Sequence, residues 1–434
     1  MAEPTRPALV SLDEVLARML AVARERRIDQ TEDISTFDGL GRVLAQGVAS
    51  TLDVPPADNT SMDGYVLRAA DVPAAGTLLP VSQRIAAGHI GQPLAAGTAA
   101  RIFTGAQVPA GGDAVVMQEQ CEAVPAADGQ SLGSVRINTV PEAGQWIRRR
   151  GEDVMHGAEV LAAGARLTPQ SIGLAASVGA ATLTVRRRPR VALFSTGDEL
   201  LMPGQPLEPG AIYNSNRFTL RGLLQAAGCE IIDLGIVPDR LGATREALRN
   251  AAQGSDLILT CGGVSVGDED HLKPAAQAEG WLEAWQVAIK PGKPLAFGGI
   301  RRARAGAGTG AGARAGANAN EALFIGLPGN PVSSFVTFLL AVTPVLRALQ
   351  GCVMANAEAV SVRADFDWPK PDRRREFLRA RFNAAGGVEI FPNQSSGVLT
   401  SAVWADGLID NPPGHAIARG DTVRLLLLAS LIGG

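Results

Sequence analysis

Three carboxylates, Asp268, Glu269 and Asp270, follow an apolar run and the glycines Gly262 and Gly263 in the stretch CGGVSVGDED, which also carries Ser265. Acids crowded on a glycine-rich turn repel one another unless a hard cation such as Mg²⁺ binds among them. Other apolar runs end in similar chemistry: Ser195, Asp198 and Glu199 in STGDEL, and Asp239 in VPDR. AIKPGKPLAF supplies Lys290 and Lys293, and LPGNPVSS supplies Pro328, Gly329, Asn330, Pro331 and Ser333, with Asn330 as a cap and Pro331 as the first helical residue. A helix start beside lysines suits a phosphate or another tetrahedral oxyanion. Singly, each loop is also an ordinary turn, or a helix start whose acids complement the dipole. Together they point to a cation and a phosphate-bearing, nucleotide-like ligand held in one crevice.

Several other chemistries are disfavoured. AIKPGKP lacks the GxxxxGK[ST] spacing of a phosphate loop, and CGGVSVG lacks the GxGxxG of a nicotinamide or flavin site. The four cysteines, Cys121, Cys229, Cys261 and Cys352, are far apart and read as reduced thiols rather than zinc ligands. A formal net charge of -3 with 19% charged residues invites neither nucleic acid nor an anionic membrane. The N-terminus lacks the clean apolar core of a signal peptide, and no later apolar stretch reaches about 18 residues without polar breaks. A cytoplasmic protein is expected.

Three polar stretches are more ambiguous. VPPADNTSMDGYVLR, with Asp58, Asn59, Ser61 and Asp63, is long for a plain turn and lacks apolar anchors, as a loop reaching toward a site would. Glu152 and Asp153 follow Arg148, Arg149 and Arg150, a pattern that an exposed salt-bridge cluster explains equally well. NQSSGVLTS, including Ser396, offers neutral hydrogen-bond donors near the C-terminus.

The elements that must position these residues fall into four groups. Ser11 caps a helix with Leu12, Val15, Leu16, Met19, Leu20 and Ala23 at helical spacing. We assign 1–50 to an N-terminal helical segment, completed by 146–188, where Thr168 and Pro169 start a second helix. Residues 51–145 read as a small inserted β-rich domain. Residues 189–352 alternate apolar strands with helices, which predicts a doubly wound α/β domain with a parallel sheet covered on both faces, and the loops at its strand ends form the ligand crevice. The Ala/Gly-rich segment 301–320 reads as a flexible loop, and 353–434 as an all-β domain.

The motifs DNTSMDGY, GED, STGDEL, GGVSVGDEDHLK, KPGKP and LPGNPVSS, in this order and spacing, resemble the MoeA family of molybdopterin molybdenumtransferases and the E domain of gephyrin. The likeness extends over nearly the whole chain. It implies molybdenum cofactor biosynthesis: Mg²⁺-dependent insertion of molybdate into adenylylated molybdopterin, with release of AMP. It also implies an elongated homodimer with a C-terminal β barrel, and an active site shared between the α/β domain of one subunit and N-terminal parts of the other. In that frame Asp63 acts in trans, and Asp63, Asp153, Glu199, Asp239 and Asp270 are the catalytic acids. Asp270 and Ser195 resemble the residues that position Mg²⁺. Gly262, Gly263, Ser265, Lys290, Lys293, the Pro328–Pro331 turn, Ser333, Arg379 and Ser396 resemble the substrate-binding set. The upstream adenylyltransferase and downstream molybdoenzyme chaperones are the partners the resemblance implies. His271 departs from the tyrosine often found there, and 301–320 is longer and less complex than usual. Two rival readings share the core: a molybdopterin adenylyltransferase-like enzyme, whose family lacks the flanking domains, and a gephyrin-like scaffold.

Overall fold

A computed structural model describes residues 9–127, 130–264, 271–302, 320–353 and 359–433. Ser11 caps the first helix, Leu12–Glu25, by accepting from the Glu14 N–H at 3.2 Å. Its apolar stripe, Leu12, Val15, Met19 and Ala23, is buried in one cluster with Phe297, Leu323 and Leu346. The helix covers the α/β sheet, and Leu9–Val10 adds a strand to that sheet's edge, because the stripe finds its apolar partners there.

Thr31–Ser35 pairs antiparallel with Thr182–Arg186, and Val48–Ala49 with Glu159–Leu161, so chain before and after the insertion closes on itself. Leu44, Leu167, Ala175, Leu183 and Val185 form its core. Thr168 makes a capping box with Ser171 at the start of Pro169–Ser177. Between these pairs lies a six-stranded sheet running Ala114–Met117, Gly64–Leu67, Ala99–Ile102, Thr77–Ile85, Ser134–Ile137, Cys121–Val124.

The central sheet runs Leu9–Val10, Gly280–Val287, Pro294–Arg301, Glu321–Leu327, Leu257–Cys261, Arg190–Thr196, Glu230–Val237. The last four are mutually parallel, whereas Pro294–Arg301 is antiparallel to both neighbours, so the all-parallel expectation is corrected. A short turn from Gly280–Val287 forces the reversal. The reversal matters for function, since it sets the start of Pro294–Arg301 beside the carboxyl ends of the parallel strands.

The helical stretch Pro331–Leu349 spans 19 residues and by length and composition alone could cross a membrane, but Ser333, Ser334, Thr337, Thr343 and Arg347 interrupt it, as the sequence reading expects, and 89% of its most apolar 18-residue window is buried inside the protein. A π-helical turn at Phe338–Val342 precedes Pro344, whose missing N–H interrupts regular bonding. The C-terminal sheet runs Ile289–Lys290, Arg375–Phe382, Gly407–Asn411, Thr422–Leu427, Ala359–Arg363, with Val388–Ile390 also on Arg375–Phe382. Its ladders describe an open path, and a single bridge between Ala364 and Val388 links its far strand back.

Candidate active site

Four parallel strands end on one edge of the central sheet, and the loops leaving them line a cleft of about 830 Å³. Ser195, Glu199, Asp239, Gly262, Gly263, Lys290, Lys293, Pro328, Gly329, Asn330, Pro331, Ser333 and Ser396 all line it. The strand order separates their charges. Glu199 and Asp239 follow Arg190–Thr196 and Glu230–Val237 on one side of Leu257–Cys261, while the 328–333 turn follows Glu321–Leu327 on the other and both lysines lie in the segment that leads into Pro294–Arg301, the next strand on that side. At about 4.8 Å per strand, three spacings put Arg190–Thr196 and Pro294–Arg301 about 14 Å apart.

At the acidic end, Ser195 Oγ and Thr196 Oγ1 are buried and have no hydrogen-bond partner among the described residues. Asp198 Oδ1 accepts from the Asp239 N–H at 3.3 Å, which ties the two acidic loops together. Two carboxylates and two buried hydroxyls make a hard, oxygen-only donor set, of the kind Mg²⁺ takes when it keeps waters and shares a substrate phosphate. No cluster of three or more acidic, His or Cys ligands occurs among the described residues. Ser265 and the acids Asp268, Glu269 and Asp270 lie outside the described residues.

Glycine is required at two points of the wall. Gly262 has φ +94°, and a Cβ there would stand 2.8 Å from the Thr196 carbonyl oxygen. Gly292, with φ +108°, packs its backbone onto the Thr337 hydroxyl with no room for a side chain.

At the basic end Arg374 joins the lysines, held by Asp372 through Nη2–Oδ2 and Nε–Oδ1 bonds of 2.8 and 3.0 Å. The Arg374 guanidinium holds the Asp372 carboxyl well below the usual carboxylate range. Arg379, the arginine expected here, does not line the cleft. Its side chain is fully buried and donates to Ser401 Oγ at 3.1 Å, the Phe377 carbonyl at 3.1 Å and the Ser395 carbonyl at 3.4 Å. Burial pushes its guanidinium down to about 10. The alternation of Arg375–Phe382 turns Arg379 inward, so it braces the 394–396 loop from behind while that loop's other face meets the cleft.

Sequence reasoning also missed Asn214 and Asn216. Asn214 caps the helix Ser215–Ala226, accepting from the Arg217 N–H at 3.1 Å. Its Nδ2 is buried without a partner among the described residues, and the residue lines the cleft. Asn216 Nδ2 donates to the Gly329 carbonyl at 2.6 Å, fixing the turn after Glu321–Leu327. The N-cap preference of asparagine before an apolar helical run was the available signal.

Cys261 lines the cleft yet is no nucleophile. Its Sγ lies 3.2 Å from the Pro328 carbonyl oxygen, and burial pushes the thiol up to about 11. Only about one part in a thousand is thiolate at pH 8. Cys261 in the native protein is therefore expected to resist iodoacetamide at pH 8 by peptide mass mapping; alkylation as fast as that of the unfolded chain would contradict this environment.

Asp63 and Asp153 stand outside the cleft of their own chain. Thr104 donates to Asp63 Oδ1 from its N–H at 2.8 Å and its hydroxyl at 2.7 Å, which holds the carboxyl below its usual range. Asp153 is exposed, and its N–H donates to the Val54 carbonyl at 3.0 Å. Nearby, Arg149 and Arg150 pair with Asp58 and Asp53, so the basic cluster is an exposed salt-bridge network.

Comparison with known proteins agrees along the chain. Family models for the MoeA N-terminal region (domain I and II), a probable molybdopterin binding domain and the MoeA C-terminal region (domain IV) match residues 10–179, 192–348 and 361–428. The chain is 39% identical over 432 residues to a molybdopterin molybdenumtransferase of Haemophilus influenzae, covering 98% of this chain and 100% of that protein. It is 33% identical over 434 residues to one of Bacillus subtilis, covering 96% and 94%. The crystal structure of a molybdopterin biosynthesis MoeA protein from Pyrococcus horikoshii is similar with a TM-score of 0.78 and 27% identity, over 97% of this chain and 100% of that one.

Proposed function

The chain belongs to the MoeA family of molybdopterin molybdenumtransferases, enzymes of molybdenum cofactor biosynthesis, and from that premise we propose that its cleft joins molybdate to adenylylated molybdopterin and releases AMP. The observation that carries this reading is the separation of charge across the cleft. Ends about 14 Å apart are too distant to grip one phosphate. They suit a long ligand with a phosphoanhydride at one end and an oxyanion acceptor at the other.

At the acidic end, Ser195, Thr196, Glu199 and Asp239 would hold Mg²⁺ against the phosphoanhydride, together with Asp270 by family resemblance. When bound, Mg²⁺ neutralises charge on the phosphoanhydride oxygens and so eases departure of AMP. At the basic end, Lys290, Lys293 and Arg374 supply positive charge to molybdate, while the Ser333 and Ser396 hydroxyls are placed to donate to its oxygens or to the pterin phosphate. The Asn214 Nδ2 offers a further donor along the wall. Holding both reactants in one cleft replaces a bimolecular encounter by a local one, the larger part of what such a site contributes.

Asp63 and Asp153, remote from their own chain's cleft, complete the site in this proposal as residues of a second copy in a homodimer. In this reading the C-terminal sheet is a barrel, and the Ala364–Val388 bridge is the contact that supports it. A cytoplasmic setting, supply by an adenylyltransferase and delivery to molybdoenzyme chaperones complete the reading. Its test is AMP release from adenylylated molybdopterin by the full-length protein. Release that requires both molybdate and Mg²⁺ is expected; tight substrate binding with no release under any condition would favour a scaffold on the same fold.

A further inference from the structure

Lys290 and Lys293 lie three residues apart on one turn, yet their surroundings differ. Lys290 Nζ is 3.1 Å from Glu376 Oε1, 3.6 Å from Asp372 Oδ2 and 6.0 Å from the Trp368 ring centre. Lys293 is exposed and makes no side-chain hydrogen bond or ion pair among the described residues. Glu376 has 0% exposure. Besides Lys290 it accepts from Trp368 Nε1 at 2.8 Å, the Asp372 N–H at 3.1 Å and Asn411 Nδ2 at 3.4 Å. Every neighbour is a donor, so the position calls for a group that only accepts.

The backbone reinforces this contact. Ile289–Lys290 pairs in parallel with Arg375–Glu376, placing Lys290 opposite Glu376 in the C-terminal sheet, while Pro294 four residues later begins a strand of the central sheet. The turn bearing both lysines is therefore shared between two sheets. Asp372 extends the network, lying against Lys290 while gripping Arg374.

We propose that Glu376 is a positioning residue for the transferase reaction. It holds the Lys290 ammonium at a fixed place on the cleft wall, across the seam between the two sheets, and leaves Lys293 as the cation whose charge is not already compensated. The inference rests on the function proposed above, because molybdate is the anion these lysines receive.

A double-mutant cycle on the full-length protein tests it, reading the KM for molybdate and the kcat of AMP release. Glu376→Gln turns an amide N–H toward a donor, either Lys290 or Trp368, and is expected to raise that KM about tenfold while kcat stays within about threefold. In a Lys290→Met background the same substitution is expected to change KM by less than about twofold, since its object has gone. A full tenfold effect in that background, or none in the single variant, would overturn the proposal. If Glu376→Gln does not fold, Glu376→Asp takes its place in the cycle: it keeps the charge and shortens the reach, and the same coupling is expected. Molybdate-independent release by the wild type would instead refute the function itself, so the two failures are separable.

Discussion

Lys293→Ala is expected to lose about a hundredfold in kcat/KM for molybdate-dependent AMP release while melting at the wild-type temperature. The side chain lines the cleft, is exposed, and has no partner among the described residues, so its removal leaves no buried group unsatisfied and creates no cavity. What it removes is a positive charge held near an oxyanion in a partly enclosed site. Loss of one such donor costs about a hundred- to a thousandfold in related sites. Steady-state kinetics with a parallel thermal melt checks this. A loss below about threefold would take Lys293 out of the machinery.

Two arginines five residues apart give the second large contrast. Arg374→Ala is expected to lower kcat/KM by about a hundredfold with little change in melting, because the residue lines the cleft and its partly exposed guanidinium is held there by an ion pair with Asp372. Arg379→Ala is expected to lower stability by about 2–4 kcal/mol, since it opens a cavity and removes the hydrogen bonds to Ser401 Oγ and to the Phe377 and Ser395 carbonyls. Desolvation of the charged arginine offsets part of that loss, as the depression to about 10 indicates. Denaturant melts and kinetics of both variants decide the matter. Full stability in Arg379→Ala, or full activity in Arg374→Ala, would show that the two roles have been misassigned.

That contrast also marks where sequence reasoning reached its limit. In DRRREFLRARF every second residue faces the same way, but nothing local says which face meets the core, and five arginines are candidates for the cleft. Register came from pairing with Gly407–Asn411 and Ile289–Lys290, contacts that are distant in the chain. Local signals worked where the cause is local. The Ser11 cap, the Thr168–Pro169 start, and the strand and helix of Glu230–Val237 and Leu241–Gly254 follow from capping chemistry and apolar periodicity.

The cleft residues were legible for a similar reason, since loops after parallel strands share an edge whatever the details of packing. The destination of the first helix was less so. An amphipathic stripe states that a helix must be covered, and leaves the covering surface to the tertiary fold. Lys290 shows the same limit. The sequence sets it beside Lys293 with nothing local to tell the two apart, whereas the buried Glu376 that distinguishes them lies 86 residues on in the C-terminal sheet.

The account stands or falls on whether chemistry at the two ends of the cleft is one event. In a single turnover with enzyme in excess over adenylylated molybdopterin, molybdenum bound to the pterin and AMP released are counted in the same quenched samples. The account predicts one molybdenum atom on the pterin for each AMP, with both falling to background when molybdate is omitted. AMP released at the same rate without molybdate, or without molybdenum appearing on the pterin, would contradict it and make the cleft that of a hydrolase.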